Sequence, residues 1–363
     1  MRRFRWVALC LAILMSAGLA AGLARAQSAE EWLRRGDRAA AEDEKISAYA
    51  EAIRIIQPIL GAAHFSKGIA LFQKGRLDEA MADFTVSIQL RPKVGEGYYV
   101  RGLAYLAKDA VDQAIDDLTR AIELKPDMAD AHYHLAQAHS RKGLLEQAIA
   151  GFSKAISLNV SHAEAFYGRG ESRYRKNLVD EAIADFTMTI RLKPRHVKAL
   201  RSRAIAYWSR NLLDLAVADY SSLLELKPDD KDTYYSRIQI HEHLKRYDLV
   251  GADHEKLVQL YPEKAQTHNG LAWFLATCPG PATCRNAQRA VEHALKALSL
   301  EPGYFHMDTL AAAYAEAGRF DEAVKMQEEA VQLLRKSKDA AKYLFEFQKR
   351  LKLFGEKKPH REE

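Results

Sequence analysis

Residues 98–127 read YYVRGLAYLAKDAVDQAIDDLTRAIELKPD, a stretch with no arrangement of catalytic side chains. Its skeleton is Gly102, Ala114, Leu118, Ala121 and Pro126. The same skeleton recurs 34 residues earlier as Gly68, Ala80, Phe84, Ser87 and Pro92, and 34 residues later as Ala136, Ala148, Phe152 and Ala155. Counting from Gly61, position 8 is Gly68, Gly102, Ala136, Gly170 and Ala204. Position 20 is Ala80, Ala114, Ala148, Ala182, Ala216 and then Val250. Position 24 is Phe84, Leu118, Phe152, Phe186, Tyr220 and His254, and position 32 is Pro92, Pro126, Val160, Pro194, Pro228 and Pro262. Chance does not hold several columns in register over six units, so the chain is an array of one repeated motif.

Each unit divides into two helical segments of about a dozen residues, with a break at Gly75, Asp109, Gly143, Asn177 and Asn211. Gly and Asn tolerate the left-handed conformation that ends a helix. Position 18 is acidic in all six units (Asp78, Asp112, Glu146, Asp180, Asp214, Asp248), which sets a negative charge in the first turn of the second helix. Proline at position 32 then stops that helix. Small residues at positions 8 and 20 let the two helices approach, and bulky ones at 4, 11 and 24 fill the remaining space. In period and pattern the chain resembles the tetratricopeptide repeat (TPR) family over about residues 29–337. The resemblance implies an all-α, right-handed α-solenoid of antiparallel helix pairs, a TPR superhelix.

The array divides as follows. Residues 27–60 are a degenerate first unit with a shortened turn, residues 61–264 are six TPR units, and residues 265–337 are a variant pair interrupted by a six-residue insertion. Ala340, Tyr343, Leu344, Phe347, Leu351 and Phe354 follow helical spacing and predict a capping helix over 338–354. Residues 355–363, GEKKPHREE from Gly355, are expected to be a solvated tail.

On the first helix of each unit, positions 2, 5, 9 and 12 form a second stripe beside the core stripe. In the family this stripe lines the concave groove where peptides or partner helices bind. Position 5 reads Phe65, Tyr99, Tyr133, Tyr167, Arg201 and Tyr235, and position 9 includes Gln137 and Glu171. Positions 12 and 13 add Trp208, Arg141 and Arg175. An aromatic ladder with scattered Arg and amide groups offers rigid apolar area and directional donors. The partner-binding set expected is therefore Tyr99, Tyr133, Gln137, Arg141, Tyr167, Glu171, Arg175, Arg201, Trp208 and Tyr235. Tyr at position 5 also serves packing alone in this repeat. The carboxylate clamp of some TPR proteins has Lys and Asn at positions 5 and 9, Asn at 6 of the next unit, and Lys and Arg at 2 and 6 of the one after; it is not matched, since Phe65, Ile69, Val100, Asp130 and His134 stand there.

No enzyme or cofactor is implied. His132 and His134, or His241 and His243, are two apart on a helix and point different ways, so no metal site is expected. No HExxH, G-x-S-x-G or phosphate-binding loop occurs.

The net charge is +6, with 48% hydrophobic and 28% charged residues. Arg2, Arg3, Arg5 and Arg25 lie in the first 26 residues, which hold no acid; without them 50 basic residues face 48 acidic ones. No basic stripe with interleaved aromatics stands out, and nucleic-acid binding is not expected. MRRFR, the uncharged run from Trp6 to Leu23 and the small pair Ala24 and Ala26 read as a signal peptide over residues 1–26, cleaved before Gln27. The alternative is an uncleaved anchor. Cleavage implies a periplasmic or secreted protein without stable membrane insertion. Cys278 and Cys284 are then the only cysteines left, and an even pair in an exported chain points to a disulfide; the alternative is a packed Cys278 and a free Cys284. The expected function is an exported scaffold that binds a protein or peptide in the cell envelope through its groove. The alternative is a glycan-binding solenoid whose Tyr ladder stacks on sugars of the cell wall.

Overall fold

A computed structural model describes residues 28–362 other than 33, 36, 40 and 41, and among these residues all regular secondary structure is helical. The expected signal peptide and its cleavage point lie outside the described residues. The chain forms two compact units, divided after Lys193.

In the first unit the helices are α1 (Glu42–Gln73), α2 (Leu77–Leu90), α3 (Gly95–Ala107), α4 (Val111–Leu124), α5 (Ala129–Arg141), α6 (Leu145–Leu158), α7 (Ala163–Arg175) and α8 (Val179–Leu192). Each packs on the next to make successive helix pairs. The break residues do what the sequence asks of them. Gly75, Asp109, Gly143 and Asn177 have φ of 76°, 58°, 77° and 63°. The following N–H then reaches back to close the helix end, as from Ala110 to the Tyr105 carbonyl at 2.9 Å. The small column meets the large one. A Cβ added at Gly68 would lie 2.5 Å from the Phe84 ring, and one at Gly170 would lie 2.7 Å from Phe186.

A charged column runs beside the apolar ones. Arg101 grips Asp117 through two bonds of 2.7 and 2.8 Å, and Arg169 grips Asp185 at 3.0 and 2.8 Å. These bidentate pairs join position 7 of the first helix to position 23 of the second. A third guanidinium contact reaches the hydroxyl at position 25 of the preceding repeat, Thr85 or Ser153. Repeat 3 has Leu135 and Gly151 in these places, and Gly151 lets the helices close on Ala136, whose Cβ would stand 2.9 Å from an added Cβ.

The first unit departs from expectation at its start. Pro58, at position 32 of the degenerate unit, stands inside α1 and does not stop it. Elsewhere polar residues such as Lys93 or Asp127 follow that proline; here Ile59 and Leu60 follow, and a helix forms where no polar turn competes. Ile46, Ile53 and Leu60 are exposed along α1. The stretch Ile46–Gln73 is long and apolar enough to cross a membrane by length and composition alone. Its second half nevertheless supplies the first helix of repeat 1, with Gly68 against Phe84.

The second unit holds α9 (Val197–Ser209), α10 (Leu213–Leu226), α11 (Lys231–His243), α12 (Tyr247–Leu260), α13 (Ala265–Thr277), α14 (Ala287–Leu300), α15 (Tyr304–Glu316), α16 (Phe320–Arg335) and α17 (Ala340–Gly355). The ion-pair column continues as Arg203–Asp219 and Arg237–Asp253. In the weak sixth repeat His254 takes the aromatic place and stacks on Phe274, ring centroids 6.0 Å apart. The insertion forms a short 3-10 turn, Ala282–Cys284, and brings the Cys278 and Cys284 sulfurs to bonding distance. α17 covers the end of the array with Phe347 and Phe354 buried, and Arg350 donates to the buried Asp308 at 2.8 Å. After α17, Glu356, Lys357, Lys358 and Glu362 are exposed as expected, but the residues between Lys358 and Glu362 are not. Lys357 adopts a left-handed φ of 57° and turns the chain back, and Pro359, His360 and Arg361 are half-buried against α13 and α15.

Candidate functional site

The first helices α3, α5 and α7 lay their position-5 tyrosines on one face. Tyr99 lies 5.9 Å, ring to ring, from His134. Tyr133 touches three rings: His134 at 4.8 Å, His162 at 4.8 Å and Phe152 at 5.7 Å. Tyr167 packs on Phe186 at 5.9 Å. All three tyrosines are half-buried, so each packs with one part and presents another.

Between repeats 2 and 4 the Tyr99 and Tyr133 rings border a slot of about 450 Å³, lined also by Asp130, His134, His162 and Glu164 among others; Tyr167 lies outside it. That volume lies in the range of ligand pockets, about 300–1,000 Å³. At one end Lys193 pairs with Glu164 at 3.0 Å. At its middle, His162 caps α7 by accepting the Ala165 N–H at Nδ1, 3.2 Å. Its proton therefore sits on Nε2, which faces an Asp130 oxygen at 3.3 Å. That hydrogen bond is the main reason Asp130 is held below its usual range; burial opposes it. His134 is pushed down to about 4, chiefly by burial, and is neutral at physiological pH. Its Nδ1 is buried and finds no hydrogen-bond partner among the described residues. Burial, then the Asp130 charge, pushes the Tyr99 phenol up, so it stays protonated.

This chemistry suits binding better than turnover. Both nitrogens of His162 are engaged, and His134 is too weak a base to hold a proton near neutral pH. What the slot offers is phenol rings, two carboxylates and the His134 ring, whose Nδ1 lies buried behind it and which also bonds Gln137.

The other expected site residues divide. Gln137 and Glu171 stand half-buried on the same helices, with Gln137 acting on His134. Arg141 and Arg175 are drawn away from a ligand. Arg141 donates to the Leu106 carbonyl at 3.1 Å, and Arg175 to the Ser140 carbonyl at 2.9 Å. Each adds a second donor to a carbonyl in the last turn of the preceding first helix, already bonded to the Asp109 or Gly143 N–H, and ties one repeat to the next. Arg201, Trp208 and Tyr235 belong to the second unit, where Arg201 pairs with Asp230. The Tyr235 hydroxyl is buried without a partner among the described residues. Sequence reasoning missed His134, His162 and Asp130 as parts of one slot. The signal available was a polar residue at positions 2, 6 and 34 of the repeat that lacks the Arg–Asp pair.

Family models described as tetratricopeptide or TPR repeats match residues 29–94, 102–143, 129–161, 146–197, 167–231 and 201–249. No curated protein matches the chain. Among solved structures, the C-terminal part of a TPR repeat-containing protein from Cytophaga hutchinsonii is 19% identical, with a TM-score of 0.58 over 68% of this chain and 99% of that one. MamA is 28% identical, with a TM-score of 0.42 over 44% of this chain and 92% of its own. YrrB, described as a TPR protein with an unusual peptide-binding site, is 20% identical, with a TM-score of 0.42 over 50% of this chain and 90% of its own. The tetratricopeptide repeat suggests a protein–protein interaction scaffold, a class typically non-enzymatic. With its columns of Gly or Ala against Phe or Leu folded into helix pair after helix pair, and repeat models matching from residue 29 to residue 249, the chain belongs to the tetratricopeptide repeat family.

Proposed function

We propose that the protein is an exported adaptor of the cell envelope that holds an extended peptide or partner helix on the α3–α5–α7 face. The observation that carries this reading is the slot at Tyr99 and Tyr133, with the buried, unpartnered Nδ1 of His134. A buried polar atom without a partner costs about 1–3 kcal/mol, a cost that a polar ligand group or an ordered water relieves. The residues that act are Tyr99, Tyr133, His134, Gln137, Tyr167 and Glu171. Export is supported by the MRRFR n-region, the apolar run and the Ala24–Ala26 pair, together with cysteines set for oxidation.

The test is site-specific photocrosslinking in cells. A crosslinker at Gln137 should trap a protein partner in the envelope fraction, and one at the exposed Lys154 of α6 should not. Trapping from Lys154 alone would place binding on the second-helix face and sink the reading.

A further inference from the structure

The second unit already shows what its first-helix face takes. After α17, the N–H groups of Lys357 and Lys358 bond back to Phe354 and Leu353 at 3.0 and 2.9 Å, and the left-handed Lys357 sends the chain back across α15 and α13. Pro359 keeps the segment extended. The ring of His360 stands 5.6 Å from Trp273. The Arg361 guanidinium pairs with Glu316 at 2.5 Å and reaches the Ala276 carbonyl at 3.4 Å. The Glu362 N–H donates to the Thr277 carbonyl at 3.1 Å, and the Trp273 indole N–H donates to the Glu362 carboxylate.

These contacts are not scattered. Trp273, Ala276 and Thr277 occupy positions 9, 12 and 13 of repeat 7, the columns that Gln137, Ser140 and Arg141 occupy in repeat 3. The cation meets the negative end of α13, where the last carbonyls are unpaired within the helix. The acid it meets is built in: Glu316 is 14% exposed and is also held by Arg285 at 3.3 Å. Main-chain, cationic, anionic and aromatic contacts together make a peptide-recognition pattern, and the occupant is this chain's own end.

We propose that the α13–α15 face is a binding site for an extended peptide carrying Arg followed by an acidic residue, and that residues 359–362 hold it closed in cis until such a segment displaces them. The site lies in the second unit and does not rest on the tyrosine slot of the first. A tether this short gives an effective concentration of about 1 mM. If the free peptide binds at about 50 μM, the tail fills the site in about 95% of molecules and weakens any competitor about twentyfold.

The experiment uses fluorescein-labelled KKPHREE, the sequence of residues 357–363, and anisotropy at one fixed salt concentration. The full chain is compared with a chain ending at Lys358, and circular dichroism checks that both are folded. The truncated chain should bind the peptide at least about tenfold more tightly than the full chain. A peptide with Ala in place of Arg361 and Glu362 should lose that binding, as should the truncated chain carrying Glu316→Gln. Tyr133→Ala with Tyr167→Ala should leave it unchanged. If truncation unfolds the second unit, the full chain carrying Arg361→Ala and Glu362→Ala replaces it, since Pro359 and His360 then keep their packing. Equal binding by open and full chains, no binding by a folded open chain at 1 mM peptide, or equal binding of the Ala peptide each overturns the proposal.

Discussion

Two faces of the same register differ in what covers them. On α3, α5 and α7, columns 5 and 9 carry Tyr99, Tyr133, Gln137, Tyr167 and Glu171, and Tyr99 and Tyr133 line an open slot. On α13 the same columns carry Asn269 and Trp273, and Pro359–Glu362 of the chain itself lies across Trp273 and the end of α15. A repeat column therefore decides where a ligand sits, and the residue type in it decides which ligand. Rings beside a buried imidazole wait for a polar group. An indole beside a helix end and a buried acid takes a basic segment.

The largest way to break the contrast is to loosen the cap that aims the tail. Phe347 is buried and packs on Tyr304 and Phe305. Phe347→Ala should cost about 3 kcal/mol or more through the cavity it leaves. Hydrogen exchange should show the loss in the second unit, with the α13–α15 face opening and the α3–α7 face unaltered. Equal loss of protection in both units would mean that the two faces do not differ in this way.

Acid should act on both faces, and the sign is fixed by the buried imidazoles. His134 and His254 are each pushed down to about 4 by burial, from an ordinary 6.5. A histidine kept neutral by the fold contributes stability that is fully present above about 6.5 and is lost as pH falls toward 4, because the unfolded chain takes up the proton first. At pH 4.5 each should account for about 2–3 kcal/mol. Urea midpoints at pH 7.5 and pH 4.5 measure the loss, and His134→Gln should remove its share from the first unit alone. An unchanged pH dependence in that variant would show that His134 is not held neutral.

How much of this was legible follows from how local the causes are. The columns at positions 8, 15, 20 and 24 act within a repeat or on its neighbour, so Gly68 against Phe84 and the left-handed Asn177 can be read from spacing alone. The Arg–Asp column was equally regular, at Arg101–Asp117, Arg169–Asp185, Arg203–Asp219 and Arg237–Asp253. Charges at such spacing read as a solvated face until the side chains are seen buried. Pro58 misled because a proline ends a helix only where the residues after it prefer a turn. The tyrosines of the site were legible as a column. The diversion of Arg141 and Arg175 to carbonyls of the preceding repeat was not, because those acceptors are main chain and carry no sequence signal. The tail was least legible: Glu362 lies 89 residues from Trp273, and its polar composition gives no hint of docking.

On the open face, Tyr133→Ala with Tyr167→Ala should weaken the partner trapped at Gln137 by about 2 kcal/mol, as central aromatic anchors do, while helical content stays. Titration calorimetry with that partner measures it. A lower melting temperature with unchanged affinity would assign both rings to packing, leaving the second unit's face as the one that binds.

The smallest effect concerns the loop beside the covered face. Arg285 follows Cys284 and donates to the Cys278 and Gly280 carbonyls at 2.8 and 2.9 Å. The same guanidinium faces Glu316, which holds Arg361 of the tail. Closing a loop this short contributes about 2 kcal/mol by restricting the unfolded chain. It also fixes Arg285, which shares the Glu316 carboxylate with the tail. With Cys278→Ser and Cys284→Ser, Arg285 gains freedom to leave, and Glu316 then pairs more fully with Arg361. The tail should therefore hold more tightly, and binding of labelled KKPHREE to the full chain should fall by about two- to threefold, equivalent to about 0.4–0.7 kcal/mol. Thiol counting on unfolded, unreduced protein should find neither cysteine free in the parent chain. If the substituted chain instead binds the peptide more tightly, Arg285 positions Glu316 for the tail and does not compete with it. The loop would then be part of what keeps the second face covered.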